Sequence, residues 1–160
     1  MQDFVFKNKV LNVVFCYNEH MIKDCHIGIK GIIRVGDACL VLQKGSGNDA
    51  YWDVPGGRID DNEALEETLT RELREELPGI KEFSIGEVVG AYRLPKNIVD
   101  NRGLVFIFYK VDAESFDVVL SNEHDGYRWV TKETVSELLD SPVSITPDLY
   151  SYLVGLLENR

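Results

Sequence analysis

Leucines at 65, 69, 73 and 77 recur at four-residue spacing directly behind the turn Val54-Pro55-Gly56-Gly57, and this spacing commits residues 63–77 to a helix with one buried stripe. The other side of that helix is crowded with acid. Glu72, Glu75 and Glu76 stand at i, i+3 and i+4, so all three side chains project from one face within reach of a common point. Without a cation the arrangement opposes itself: like charges at this spacing cost roughly 0.2–0.5 kcal/mol per pair, and acids in a last turn oppose the helix dipole. A hard divalent cation reverses that sign. Oxygen-only ligation by two or three carboxylates, completed by waters and a substrate phosphate, suits Mg²⁺ or Mn²⁺. The plain alternative is a solvated surface helix on which Arg71 and Arg74 pair with neighbouring glutamates.

Around this helix the chain reads as strands. Runs at 10–17, 26–34, 39–43, 83–93, 104–111, 116–120 and 127–130 are mostly β-branched or aromatic and are bounded by Gly, Asp or Asn. Thr131 is placed to cap a second helix over 131–139. Thr146-Pro147-Asp148 reads as an N-cap, a proline at the first helical position and an acid in the first turn, opening a final helix whose apolar face is Leu149, Leu153, Leu156 and Leu157. Many strands and few helices predict an α/β fold, a mixed sheet with helices on its faces. No repeat or linker divides the 160 residues, so a single domain over 1–160 is expected.

A formal net charge of −10 argues against a nucleic-acid-binding face, and for a phosphorylated substrate it is a local problem that a bound metal ion solves. Cys16, Cys25 and Cys39 form no CxxC and leave an odd number, which favours reduced thiols. No apolar run approaches a membrane span, and Met1-Gln2-Asp3 lacks the basic start of a signal peptide. A cytoplasmic protein that does not engage membranes is expected; a homodimer is left open.

Gly57, five residues, Glu63, seven residues, then Arg71-Glu72-Leu73-x-Glu75-Glu76 resembles the signature box of the Nudix (MutT-like) hydrolases, with seven positions fixed over a stretch of twenty. The pattern departs at its end: the family usually has one residue between the paired glutamates and a glycine, and this chain has Leu77-Pro78 before Gly79-Ile80. Pro78 predicts that the helix stops near Leu77 and that the following turn is reshaped. The resemblance implies an α/β/α sandwich and metal-dependent hydrolysis of a phosphoanhydride in a nucleoside diphosphate linked to another moiety, such as a (d)NTP, a nucleotide sugar or ADP-ribose. It implies metal ligands or a catalytic base at Glu72, Glu75 and Glu76, a metal-binding carbonyl at Gly56, and a structural brace of Gly57, Glu63 and Arg71.

A further carboxylate comes, in the family, from a loop before a late tryptophan. Here Glu123 precedes Trp129 by six residues and is assigned as ligand or base, against a plain solvated turn. Asp53, Arg58, Tyr51 and His124 are assigned to the substrate side. Tyr51, Tyr92 and Phe106 are candidates for base stacking, against ordinary core packing. Tyr51-Trp52-x-Val54-Pro55-Gly56-Gly57-Arg58 and His124-Asp125-x-Tyr127-Arg128-Trp129 also resemble the GDP-mannose mannosyl hydrolases, where a histidine in this loop is the base and water attacks a sugar carbon. Those enzymes have fewer box glutamates, so the full set here favours attack at phosphorus. Pro95, fifteen residues beyond Ile80, is a weaker pointer to ADP-ribose. A nucleotide-sensing module without turnover is the third reading, and the retained glutamates count against it.

Overall fold

The computed structural model describes residues 5–6, 9–10, 25–60, 62–94, 102–114 and 116–158. Apart from Val10, the expected strand over 10–17 lies outside them, as does Pro95. A short antiparallel pair joins β1 (Val5–Phe6) to β2 (Lys9–Val10). The main sheet runs β6-β7-β3-β4-β5-β9, with β8 also paired to β4. Its members are β3 (Cys25–Val35), β4 (Ala38–Lys44), β5 (Tyr51–Asp53), β6 (Phe83–Leu94), β7 (Gly103–Ala113), β8 (His124–Val130) and β9 (Ser144–Ile145). β3 lies parallel to β7 from Cys25↔Gly103 to Arg34↔Asp112, while β6–β7, β3–β4, β4–β5 and β4–β8 are antiparallel, which makes the sheet mixed.

Period-two alternation gives the sheet two apolar faces. Ile29, Ile33, Leu40 and Leu42 point to one side, where they meet Leu69 and Leu73 of α1 (Leu65–Glu76) and Leu77 just after it. Ile32, Cys39, Val41 and Phe108 point to the other, where they meet Leu149, Leu153 and Leu157 of α2 (Pro147–Glu158). The result is the expected α/β/α sandwich. α2 begins as the sequence signals it, with Leu149 N–H donating to Thr146 Oγ1 at 3.3 Å. α1 starts two residues later than expected because Ala64 is still extended and Glu63 is turned to other work. It ends at Glu76, and Ile80 N–H closes the Leu77-Pro78-Gly79-Ile80 turn on the Leu77 carbonyl at 2.9 Å.

Two expectations are corrected. Residues 116–120 form no strand. Phe116, Val118 and Leu120 do alternate inward onto the α1 cluster, but the segment runs beside the end of the helix, where Ser121 N–H donates to the Glu76 carbonyl at 3.1 Å, instead of reaching a ladder. Residues 131–139 form no α-helix, only a 3₁₀ turn at Val135–Leu138. Only Val135 and Leu138 find a place to bury, Leu139 is exposed, and Ser141-Pro142 follows too closely for a longer helix. The short β5 and β9 carry too few residues to show a pattern.

One irregularity positions everything that follows. Cys39 pairs with Arg34 of β3 on one edge and with Val130 of β8 on the other, whereas Leu42 pairs with Asp53 of β5 and with Tyr127 of β8. β4 therefore changes partner along a single edge. In the gap so opened, the chain after β5 lies along β3: Gly31 N–H donates to the Pro55 carbonyl and Ile29 N–H to the Gly57 carbonyl, both at 2.8 Å, and Ile59 N–H to the Ile27 carbonyl at 3.1 Å.

Candidate active site

The threaded segment needs its glycines. Gly56 has φ +126°, and a Cβ there would run into the Ile29 carbonyl. A Cβ on Gly57 would run into the Glu72 carboxylate, so the absence of a side chain lets that glutamate lie against the turn. Gly56 N–H donates to Glu76 Oε2 at 2.7 Å, and the Gly56 carbonyl accepts from Lys30 Nζ at 2.6 Å. One glycine residue is thus held through its N–H by a carboxylate and through its carbonyl by an ammonium.

Arg71 organises the helix side. Its guanidinium grips Glu63 at both oxygens (2.7 and 3.0 Å) and reaches the Arg58 carbonyl at 3.3 Å, tying the loop to the helix. This fork pulls the Glu63 carboxyl down to about 2. Arg71 Nη1 also lies 2.7 Å from Glu72 Oε1 and 3.2 Å from Glu75 Oε2.

Glu76 is treated differently from its neighbours. Only 3% exposed, it has Gly56 N–H on one oxygen and His124 Nε2 at 3.5 Å from the other. Burial pushes its carboxyl up to about 7 against the pull of the Lys30 charge, the Gly56 hydrogen bond and the Lys44 charge, with Glu72 adding to the rise. His124 is also buried; burial, together with the Lys44 and Lys30 charges, pulls its imidazole below the ordinary value, and its Nδ1 has no hydrogen-bond partner among the described residues. At neutral pH the His124–Glu76 contact is therefore not a full ion pair.

The glutamate helix face is consequently divided. Glu72 and Glu75 face a common cation, the Arg71 guanidinium, while Glu76 is drawn inward, and among the described residues no three His, Cys, Asp or Glu side chains converge as a metal-ligand set. The expected common point for all three is corrected on this ground: a cation from the same helix and a backbone N–H from the turn compete for their oxygens. The donors that remain fit Mg²⁺ or Mn²⁺. They are hard oxygens, and Glu72 and Glu75 already share one positive nitrogen.

Glu123 stands on the rim, exposed, with Oε2 3.5 Å from Lys44 Nζ. Next to it His124, assigned to substrate from sequence, is turned to Glu76 with 2% of its side chain exposed. Asp53 also faces inward, with Oδ2 2.7 Å from Lys30 Nζ and Oδ1 accepting from Val54 N–H. Tyr51 and Arg58 are exposed beside the turn. Tyr92 and Phe106 stack into an aromatic group with Phe108 and Tyr152 under α2. Sequence reasoning missed Lys30 and Lys44. A lysine inside the apolar run His26-Ile27-Gly28-Ile29-Lys30-Gly31-Ile32-Ile33 was a legible signal, since lysine is almost never buried unpaired; Lys44, at a strand end, gave none.

The NUDIX domain model matches residues 26–149 of this chain. The RNA pyrophosphohydrolase of Ectopseudomonas mendocina (strain ymp) is 31% identical over 118 residues, covering 63% of this chain and 74% of that protein. The asymmetrical bis(5'-nucleosyl)-tetraphosphatase of Mus musculus is 31% identical over 101 residues, covering 62% and 67%. The solution structure of the E. coli ORF135 protein superposes with a TM-score of 0.60 at 25% identity, covering 85% of this chain and 93% of that one.

Proposed function

This chain belongs to the NUDIX family, and we propose that it hydrolyses a phosphoanhydride bond in a nucleoside diphosphate linked to another moiety, using Mg²⁺ or Mn²⁺. The observation that carries the reading is the pair Glu72 and Glu75 around one cationic nitrogen, set against the side-chain-free Gly57. A divalent ion, when bound, neutralises the phosphates and lowers the pKa of its water. Glu72 and Glu75 would hold it, with Glu123 approaching from the rim. The Gly56 carbonyl, assigned to the metal by resemblance, is occupied by Lys30 on at least one lone pair.

Glu76 suits proton abstraction from the attacking water. A base works best with a pKa near the operating pH, and burial brings this carboxyl to about 7. Arg58 and Tyr51, exposed beside the turn, are the groups available to meet the rest of the substrate. Asp53 has both oxygens engaged, so its role is to anchor Lys30. The relatives' names put nucleoside polyphosphates and RNA into the set to be screened; a net charge of −10 argues for the small nucleotide. Among the described residues no helix is long and apolar enough to cross a membrane, and Cys25 and Cys39 are free thiols. Both fit the cytosol.

The carbon-attack reading requires His124 as a base facing the sugar. Its burial against Glu76 disfavours that role. The deciding experiment is a screen of (d)NTPs, dinucleoside polyphosphates, nucleotide sugars, ADP-ribose and 5'-triphosphorylated RNA with Mg²⁺ or Mn²⁺ in ¹⁸O-labelled water. Label in a phosphate product supports attack at phosphorus; a nucleoside diphosphate with label only in a released sugar overturns it; binding without turnover of any of them identifies a sensor.

A further inference from the structure

Lys30 is a buried residue of the site whose presence the reaction does not explain. It sits in the middle of β3, 5% exposed, and spends all three ammonium protons inside the protein: on Asp53 Oδ2 at 2.7 Å, the Val54 carbonyl at 3.2 Å and the Gly56 carbonyl at 2.6 Å. Its nitrogen lies 5.4 Å from the centre of the Phe106 ring. Burying an ammonium is costly unless it is paired and fully hydrogen-bonded. Here it is both. Burial alone would lower its pKa, but Asp53 and Glu76 outweigh burial and raise it above the ordinary value, so the charge persists.

The partners divide the turn between two systems. The carbonyls of Pro55 and Gly57 accept from the β3 backbone, and those of Val54 and Gly56, which alternate with them, accept from Lys30. Gly56 N–H then points to Glu76. Gly56 N–H belongs to the Pro55–Gly56 peptide, whose carbonyl Gly31 N–H holds, while Lys30 holds the peptides on either side of it; with Gly56 at φ +126°, where no side chain restricts rotation, the direction of that N–H depends on how these flanking peptides are fixed.

We propose that Lys30 is a positioning residue of the hydrolytic site: by holding the Val54 and Gly56 carbonyls it fixes the peptides on both sides of Pro55–Gly56 and so, together with Gly31 N–H on the Pro55 carbonyl, keeps the Gly56 N–H aimed at the Glu76 carboxylate. This rests on the proposed hydrolysis for its catalytic consequence, and on the contacts alone for its geometry. Losing such a support costs about 10–100-fold in activity.

The test is Lys30→Met, whose unbranched apolar chain fills the same space beside Phe106. Expected is a folded variant whose kcat, per folded molecule, falls at least about tenfold with KM unchanged, and whose Gly56 amide proton moves upfield as its hydrogen bond to Glu76 weakens. An unmoved Gly56 resonance with an unchanged kcat overturns the proposal; so does a rise in KM alone, which would place Lys30 on the substrate. Should Lys30→Met not fold, the wild-type ammonium decides: a Lys30 NH₃⁺ resonance protected from solvent exchange supports the contact, and exchange as fast as that of surface lysines overturns it. A wild-type protein inactive in the substrate screen would sink the hydrolase reading while leaving the Gly56 and Lys30 resonances to decide this one.

Discussion

Glu76→Gln should make the metal-free protein more stable in alkali while disabling it. Glutamine keeps the shape and still accepts from Gly56 N–H, but carries no charge into the interior. In the folded protein the Glu76 carboxyl is raised from 4.5 to about 7. At about 1.36 kcal/mol per pKa unit, that shift corresponds to about 3 kcal/mol. The sign follows from the direction: a raised carboxyl pKa means the fold prefers the protonated form. Its stabilising contribution is complete below pH about 4.5 and is lost as pH rises through about 7, above which the buried charge costs the fold about 3 kcal/mol. The variant escapes that cost. In EDTA it should melt about 6–12 °C above wild type at pH 9, taking about 2–4 °C per kcal/mol for a chain of this size, and should match wild type near pH 4. With Mg²⁺ and substrate its rate should fall at least about a hundredfold. Melting followed by circular dichroism from pH 4 to 9 reads the first part. A Glu76→Gln protein less stable than wild type at pH 9, or a gain independent of pH, would refute the reasoning.

Saturating Mg²⁺ should raise the melting temperature of the wild type, because a ligand of the native state stabilises it by about 2.7 kcal/mol at a hundred times its Kd; Glu72→Gln, Glu75→Gln and Glu76→Gln combined should abolish the gain, and retention would place the ion elsewhere. Gly56→Ala should compromise folding, since its Cβ meets the Ile29 backbone, whereas Gly57→Ala should melt closer to wild type but lose Mg²⁺ affinity, since its Cβ displaces the Glu72 carboxylate; calorimetric melting and metal titration separate the two. Glu63 has its pKa lowered to about 2, so its contribution is present above pH about 4.5 and is lost as pH falls towards 2. Glu63→Gln should therefore lower the melting temperature at pH 7 and match wild type near pH 2. Attack at phosphorus predicts a larger kcat loss for Glu123→Gln than for His124→Ala; the reverse order would favour the sugar-carbon mechanism.

The parts of the fold that sequence made legible are those where one local pattern decides. Leucines at 65, 69, 73 and 77 made α1, Pro78 ended it, and Thr146-Pro147 opened α2. Alternation at 116–120 was real but not sufficient, because alternation specifies which side chains are buried and not whether a ladder partner is in reach. Within the site, helical spacing correctly put three glutamates on one side, yet it carries no information about competing partners: Arg71 and Gly56 N–H divide their oxygens. His124, assigned to the substrate side, is buried, because β8 begins there and carries it behind Glu76. Lys30 reaches its carbonyl partners only through a chain reversal of about two dozen residues, which no local pattern encodes.

The change of partner along β4 has a dynamic consequence. Because the Pro55–Ile59 stretch takes the place of a strand against β3, it opens no more easily than the centre of the sheet, and the amides of Ile29, Gly31 and Gly56 should exchange with solvent only in the slowest, globally unfolding events. The groups free to rearrange on the fast timescale are instead the half-exposed side chains around it: Glu75, Glu123 and Lys44. Among the described residues, rearrangement around a bound ligand would therefore come from rotamer changes of these side chains over a stationary floor, and not from movement of the Pro55–Ile59 stretch.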